Sequence, residues 1–382
     1  MQETKPVRPG EEIDIAHLSA FLRGKLDLDD GEIEVEQFPA GSSNLTYLVR
    51  LGNSEYVLRR PPFGNTVKTA HDMQREFDVL AKLSAVYAPA PKPLLFCADQ
   101  TIIGSEFYLM ERRHGLVVRG KISGTLKFGV PPSGGSSPTG LPPKGGTPNA
   151  VLQAGLLETS QKFRIHVCKS FIQNLADLHS LDPRDAELDT LGKPDGYNRR
   201  QVEGWTKRYY AAKTDEWPDI EKVISWLNDN IPAEWGASLI HNDYKFDNVM
   251  LDPSDLTRIT AVLDWEMVTI GDPLMDLGTT LGYWMSKDAG RELLNMPFNP
   301  RVLMENITRQ ELVDMYAEAR DRDLPDMLFY YTFGTFKIAV IAQQIYARYV
   351  RGFTKDARFA AFGHFVAALG SIAIHAVESK RV

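Results

Sequence analysis

From Ile33 to Leu58 apolar and polar residues alternate: Ile33 and Val35, then Leu45, Tyr47 and Val49, then Tyr56 and Leu58. A period of two places every second side chain on one face, so the pattern predicts half-buried strands. "AGSSN" (40–44) and "GNS" (52–54) separate them, and a three-stranded antiparallel meander is expected. "RRPP" (59–62) ends it, because proline has no N–H to give to a ladder. Residues 71–84 change to helical spacing, with Met73, Phe77 and Leu80 on one stripe. "APAPKP" (88–93) breaks the chain, and two strand-like segments follow, "LLFCA" and "EFYLMER". The N-terminal part reads as a small sheet with one inserted helix.

Residues 129–148 hold six glycines and six prolines, a composition that builds no packed core, so an exposed, mobile insert is expected. Beyond it the chain turns helical. "SQKFRIHVCKSFIQNLADLH" (160–179) carries Phe163, Val167, Phe171, Leu175 and Leu178 at helical spacing. A further helical stretch is expected over about 198–229, short strands near 238–241, 248–251 and 258–263, and about four helices from 273 onward. No internal repeat is visible. The organisation is a β-rich N-terminal lobe, residues 1–112, followed by a larger helical lobe, residues 113–382.

Composition narrows the functional classes. The chain has 382 residues, 43% hydrophobic and 24% charged, ordinary values for a folded soluble protein. A net charge of −7 argues against nucleic acid as the main partner, since phosphate backbones attract basic surfaces. Cys97 and Cys168 sit in apolar contexts and read as buried thiols. The N-terminal "MQETKPVRPGEE" lacks the apolar core of a secretory signal. Polar residues such as Lys337, Gln343, His364, Ser371 and His375 interrupt the late apolar segments, so no uninterrupted run reaches the roughly 18 residues of a membrane helix. A cytoplasmic protein without a membrane partner is expected; nothing in the sequence sets an oligomeric state.

The chemistry concentrates in "LIHNDYKFDNVML" (239–251), where His241, Asp243, Lys245, Asp247 and Asn248 crowd between two apolar runs. The next strand-like segment, "ITAVLDWE", carries Asp264. An amide and a carboxylate oxygen, from Asn248 and Asp264, are hard ligands of the kind Mg²⁺ takes along with phosphates. Asp243 is then the spare carboxylate that can orient a substrate hydroxyl and accept its proton. As plain turn residues the same Asp and Asn side chains would also be at home. His241 is expected to hold the loop by hydrogen bonds. Asp272 and Asp276 in "GDPLMDLG" are expected to cap a helix and brace the loop, with His179 packed against it. Trp205 and Tyr209 read either as pocket-lining or as core.

The spelling "HNDYKFDNVMLD…AVLDWEMVTIGDPLMDLG" resembles the catalytic loop of kinase-fold enzymes, in the aminoglycoside phosphotransferase and choline kinase branch. "GSSNLTYLV", "YVLRRPP" and "GDP" are similar to the kinase-like domain fused to some acyl-CoA dehydrogenases. The resemblance covers about residues 33–290 apart from the insert. It implies a bilobal, α+β, protein-kinase-like fold: a small antiparallel β-sheet lobe with one helix, and a larger, mostly helical lobe. It further implies ATP and Mg²⁺ as cofactors and a hydroxyl on a small molecule as acceptor, a hydroxyacyl-CoA or an aminoglycoside. Carried across, Asp243 is the base, Lys245 neutralises the transferred phosphoryl, and Asn248 and Asp264 hold Mg²⁺. Gly41, Ser42, Ser43 and Asn44 form the loop over the phosphates, and backbone groups of Met110, Glu111 and Arg112 meet the adenine. Arg59 stands where the family has its phosphate-gripping lysine, a change that keeps the charge but not the geometry. Glu76 borders the apolar stripe of its helix, so it needs a partner, and Arg59 is the natural one. A catalytically weak or inactive nucleotide-binding regulatory module is the alternative, favoured by Arg59 and by a phosphate loop with a single glycine.

Overall fold

The computed structural model describes residues 4–26, 31–38, 44–62, 72–118, 160–285, 303, 307–354 and 357–382. The insert expected at 129–148 and the loop residues Gly41, Ser42 and Ser43 lie outside the described residues. The chain divides into two compact units. One holds the described residues up to Gly115 together with Thr260–Glu266; the other holds those from Leu116 to Ile259 and from Met267 to Val382.

In the first unit β1 (Ile33–Gln37), β2 (Leu45–Leu51) and β3 (Ser54–Arg60) form the expected meander. β4 (Pro93–Cys97) and β5 (Phe107–Glu111) extend it to five strands in the order β1-β2-β3-β5-β4, each neighbouring pair antiparallel. Val35 sits opposite Val49 and Tyr47 opposite Leu58, so the apolar members of the alternating pattern share a face. Phe107 and Leu109 complete that core, capped by Leu18 and Leu22. These two belong to α1 (Ile15–Arg23), a helix too short to announce itself by periodicity, begun by Asp14 accepting from the His17 N–H. α2 (Met73–Leu83) buries Met73, Glu76, Val79, Leu80 and Leu83 on one side. Thr260–Glu266 joins this unit because the Val262 N–H donates to the Pro89 carbonyl at 2.8 Å and Trp265 meets Tyr87 edge-on.

The second unit is mostly helical. Its helices are α3 (Gln161–Ser180), α4 (Tyr197–Ala212), α5 (Pro218–Asp229), α6 (Pro273–Tyr283), α7 (Arg309–Arg320), α8 (Leu328–Val350) and α9 (Phe362–Ser379). The stretch expected as one helical region over 198–229 is two helices, because Pro218 starts a new one at a position where its missing N–H costs nothing. β6 (Ser238–Ile240) pairs antiparallel with β9 (Thr269–Gly271), which periodicity did not reveal at three residues. β7 (Val249–Leu251) follows the polar loop, and β8 (Ile259–Val262) leads the chain into the first unit.

α6 is buried on every side, and it meets α8 backbone to backbone. A Cβ on Gly278 would overlap the Tyr330 carbonyl, and one on Gly334 would overlap the Gly278 carbonyl. α9 buries Val366, Leu369, Ala373 and Ala376. His364, Ser371 and His375 interrupt its apolar run. Nevertheless Phe359–Ser379 is, among the described residues, the one helical segment long and apolar enough by length and composition to cross a membrane.

Candidate active site

The polar loop of the second unit hangs from α6. Asp276 accepts the His241 N–H at 2.7 Å and the Asn242 N–H at 2.8 Å. One turn on, Thr280 Oγ1 donates to the Tyr244 carbonyl at 2.8 Å, and Tyr283 OH donates to Asp243 Oδ1 at 2.8 Å. Asp276, Thr280 and Tyr283 recur at i, i+4 and i+7, so one stripe of a buried helix presents three polar groups to the loop. Asp272 caps the same helix by accepting the Leu274 N–H, Pro273 follows in its first turn, and a Cβ on Gly271 would enter the Tyr197 ring. The "GDP" motif is thus a close approach, a cap and a helix start in sequence.

Asn242 has φ +68°, the left-handed region that non-glycine residues seldom enter. Every polar group on it is engaged. Its amide donates to Asp276, its carbonyl accepts from Lys337 Nζ at 2.6 Å, its Oδ1 accepts from Tyr197 OH at 3.2 Å, and its Nδ2 donates to the Met267 carbonyl at 3.1 Å. The Asp243 N–H donates to His241 Nδ1 at 3.2 Å, which is the loop-holding role expected for that histidine.

Asp243, Lys245 and Asn248 come together. Lys245 Nζ lies 2.5 Å from Asp243 Oδ2, and Asn248 Nδ2 donates to the same oxygen at 2.9 Å. Asp243 and Lys245 keep 17% and 16% of their side chains exposed, so a ligand can reach both. Burial opposes the charge on Lys245, but the Asp243 carboxylate outweighs it and holds the ammonium well above its usual range. Burial raises the Tyr283 phenol, which stays a neutral donor. Asn248 Nδ2 donates to the Asp243 carbonyl as well, at 2.9 Å, so its NH₂ is spent on holding Asp243.

Behind the loop His179 is completely buried between Asp276 (Nε2–Oδ2, 3.1 Å) and Tyr316 OH (Nδ1, 2.7 Å). A carboxylate only accepts, so the neutral ring carries its proton on Nε2 and takes the Tyr316 hydroxyl at Nδ1. Burial lowers the pKa of His179 and keeps it neutral. Burial opposes ionisation of Asp276 too, yet the His179 hydrogen bond and charge hold its carboxyl below the usual range.

In the first unit Arg59, Glu76 and Asp264 meet. Arg59 Nη2 lies 2.9 Å from Asp264 Oδ1 and 3.5 Å from Glu76 Oε1. Arg59 and Glu76 are almost wholly buried. Burial alone would lower Arg59, but Glu76 and Asp264 hold it charged far above its normal range. Burial pushes the Glu76 carboxyl up, and Arg59 works against that. Asp264 sits at φ +68°, a strained backbone of the sort that clusters at functional sites. Asn44 donates from Nδ2 to Glu266 Oε2 at 2.9 Å, and Arg75 donates to the Glu266 carbonyl at 3.1 Å. On β5, the Glu111 N–H already donates to the Lys92 carbonyl, and the Arg112 guanidinium pairs with Glu55 at 3.2 Å. Met110 is a buried member of the same strand. Trp205 and Tyr209 are buried on α4, Trp205 beneath Arg208.

Tyr283, Lys337, Tyr197 and Glu266 were not singled out from the sequence. The signal for Tyr283 was present, a polar stripe at helical spacing in "DLGTTLGY". Lys337 was legible as a lone lysine in an apolar helix.

A five-stranded antiparallel sheet unit and a mostly helical unit with a polar, αL-containing loop make a kinase-like fold. Similarity to known proteins places it. The profile of the phosphotransferase enzyme family matches residues 34–127 and 149–301, more than half of the sequence, and the chain belongs to that family. Acyl-CoA dehydrogenase family member 11 of Rattus norvegicus is 34% identical over 362 residues, covering 92% of this chain and 42% of that protein. The chain therefore spans about two fifths of the length of such curated relatives. A crystal structure of a "putative aminoglycoside phosphotransferase" from Ralstonia eutropha JMP134 is 27% identical, with a TM-score of 0.71 over 95% of this chain and 99% of that one. A thermostable mutant of aminoglycoside phosphotransferase APH(4)-Ia, in ternary complex with AMP-PNP and hygromycin B, shares the fold at 14% identity, with a TM-score of 0.54 over 94% and 97% of the two chains.

Proposed function

We propose that this protein is a small-molecule kinase that moves the γ-phosphoryl group of ATP to a hydroxyl. One observation carries the reading. Asp243 is a solvent-reachable carboxylate fixed through both oxygens by Tyr283, Lys245 and Asn248, on a loop whose αL residue is saturated with hydrogen bonds. Preorganisation of that kind has a use when a carboxylate must receive a proton in one direction. In the proposed reaction Asp243 orients the acceptor hydroxyl and takes its proton as the oxygen attacks the γ-phosphorus, and the bond from that phosphorus to the bridging oxygen breaks to release ADP. Lys245 exchanges its partner Asp243 for the phosphoryl oxygens. Arg59, held charged and aimed by Glu76, grips the non-transferred phosphates. Asn44, the described end of the loop, lies toward the phosphates in this reading, and backbone groups of Met110, Glu111 and Arg112 meet the adenine.

As Mg²⁺ ligands, Asn248 would offer its amide oxygen and Asp264 its partly exposed carboxylate, each a hard oxygen of the kind the ion takes beside phosphate and water. The ion would neutralise charge on the phosphates and fix their geometry. Nucleotide use draws further support from the AMP-PNP bound by the APH(4)-Ia relative. The acceptor is a small metabolite, with a hydroxyacyl-CoA favoured by the dehydrogenase relatives and an aminoglycoside by the structural ones. A cytoplasmic setting goes with this reading.

The test is ADP release measured against a panel of hydroxylated acceptors. Acceptor-dependent release should fall by about 10²–10⁴-fold in Asp243→Asn while ATP affinity is kept. An Asp243→Asn enzyme with near-normal turnover would remove Asp243 from the chemistry. A wild type that binds nucleotide but releases no ADP with any acceptor of the panel would favour a regulatory nucleotide-binding module.

A further inference from the structure

Lys337 is a buried charge the proposed reaction does not use. It lies mid-way along α8, in "YYTFGTFKIAVIA", with 2% of its surface exposed. Burying an ammonium is costly unless hydrogen bonds and opposite charge compensate. The ammonium makes one short bond, 2.6 Å to the Asn242 carbonyl, with Asn242 Oδ1 at 3.5 Å and the Trp205 ring centroid at 5.5 Å. Asn242 immediately precedes Asp243, and its left-handed backbone sets the direction in which the chain presents that carboxylate. Asp276 grips the amide of Asn242 from one side and Lys337 its carbonyl from the other. Two charged groups on two helices thus brace one residue of strained backbone, which is how a sparsely populated conformation is kept.

We propose that Lys337 is a positioning residue: its ammonium pins the carbonyl of left-handed Asn242 and so aims Asp243. The site being aimed is the one assigned by the phosphotransferase reading, and the inference rests on that reading for its catalytic consequence only. Charge-assisted hydrogen bonds are roughly twice as strong as neutral ones, so removing the ammonium should loosen the carbonyl. The surroundings of Lys337 pull in both directions. Burial dominates and lowers its pKa to about 8, with Asp243 and Asp276 opposing the shift and Lys245 and Arg208 adding to it.

Hydrogen exchange over residues 238–248 reads the hold without requiring turnover. In Lys337→Met, protection factors in this segment should fall about fivefold below the wild type, while those of the β1–β3 meander stay level. Where an acceptor supports turnover, the same variant should lose about tenfold in kcat with KM for ATP little changed, and Lys337→Arg, which keeps the charge, should recover part of the loss. A folded Lys337→Met with wild-type protection over 238–248 overturns the proposal. Should Lys337→Met not fold, Lys337→Gln is read in the same way. Loss of protection in the variant, in a protein whose wild type shows no acceptor-dependent ADP release, would support the role of Lys337 in the loop and overturn the kinase reading instead.

Discussion

Lys245 Nζ touches Asp243 Oδ2 at 2.5 Å while resting 4.7 Å from the centre of the Tyr283 ring. The proposed base and the proposed phosphoryl-neutralising cation therefore neutralise each other when no ligand is present. The Asp243 carboxylate holds the Lys245 ammonium charged in a half-dry site, where a lone charge would be costly. Lys245→Met should remove the cation at the moment negative charge is transferred and cut kcat by about 10²-fold. Lys245→Arg keeps charge but changes its shape, and should recover only part of the loss. Steady-state kinetics on the three proteins check the order.

Tyr283 holds the other oxygen of Asp243, and it is the end of a stripe that also engages the His241, Asn242 and Tyr244 backbone. Tyr283→Phe removes the hydroxyl that donates to Asp243 and keeps the ring. A hydrogen bond to a charged acceptor contributes about 1.5–3 kcal/mol, so kcat should fall about 10- to 100-fold if Asp243 then rotates away from its productive orientation. KM for ATP should hardly change, because Tyr283 is assigned no nucleotide contact. A variant with unchanged kcat would show that Lys245 and Asn248 are sufficient to orient the base.

The loop was readable in advance because its chemistry is compressed into eight consecutive residues, His241–Asn248, with Asp264 a strand away. The meander was readable because Val35, Val49, Tyr47 and Leu58 keep a period of two that the observed register turns into facing pairs. What escaped notice depends on contacts far apart in sequence. Lys337 is 95 residues from Asn242, and Glu266 is 222 from Asn44. Glu76 was different: its phase on α2 exposed the need for a cation, and Arg59 is the group the structure brings to it. β9 and α1 were missed because three and nine residues are too few for periodicity to separate from chance.

Arg59 and Glu76 form a buried pair, so their removal should be strongly non-additive. Arg59→Met leaves the Glu76 carboxylate buried beside an apolar side chain and should cost about 3–5 kcal/mol in stability. Adding Glu76→Gln removes the orphaned charge, and the double variant should regain a good part of that loss. Urea unfolding of the single and double variants measures the coupling. Simple additivity would mean that the pair is solvated in solution. Neither variant should support ATP binding at wild-type affinity, since Arg59 is the proposed phosphate grip.

The buried His179 makes the second unit sensitive to acid, and the sign follows from its lowered pKa. In the unfolded chain the imidazole takes a proton at about pH 6.5; in the fold, burial holds the ring neutral to lower pH. Between those two values the unfolded state binds the extra proton, so stability is present above about pH 6.5 and declines as the pH drops through that window. The loop should be the first element to register this, because Asp276, the partner of His179, carries the His241 and Asn242 amides. His179→Gln retains a side-chain donor and acceptor but has no charge to gain. Its urea midpoint should be lower than that of the wild type at neutral pH and should vary less steeply between about pH 7 and pH 5. Parallel pH dependences for the two proteins would show that the acid sensitivity originates elsewhere than in His179.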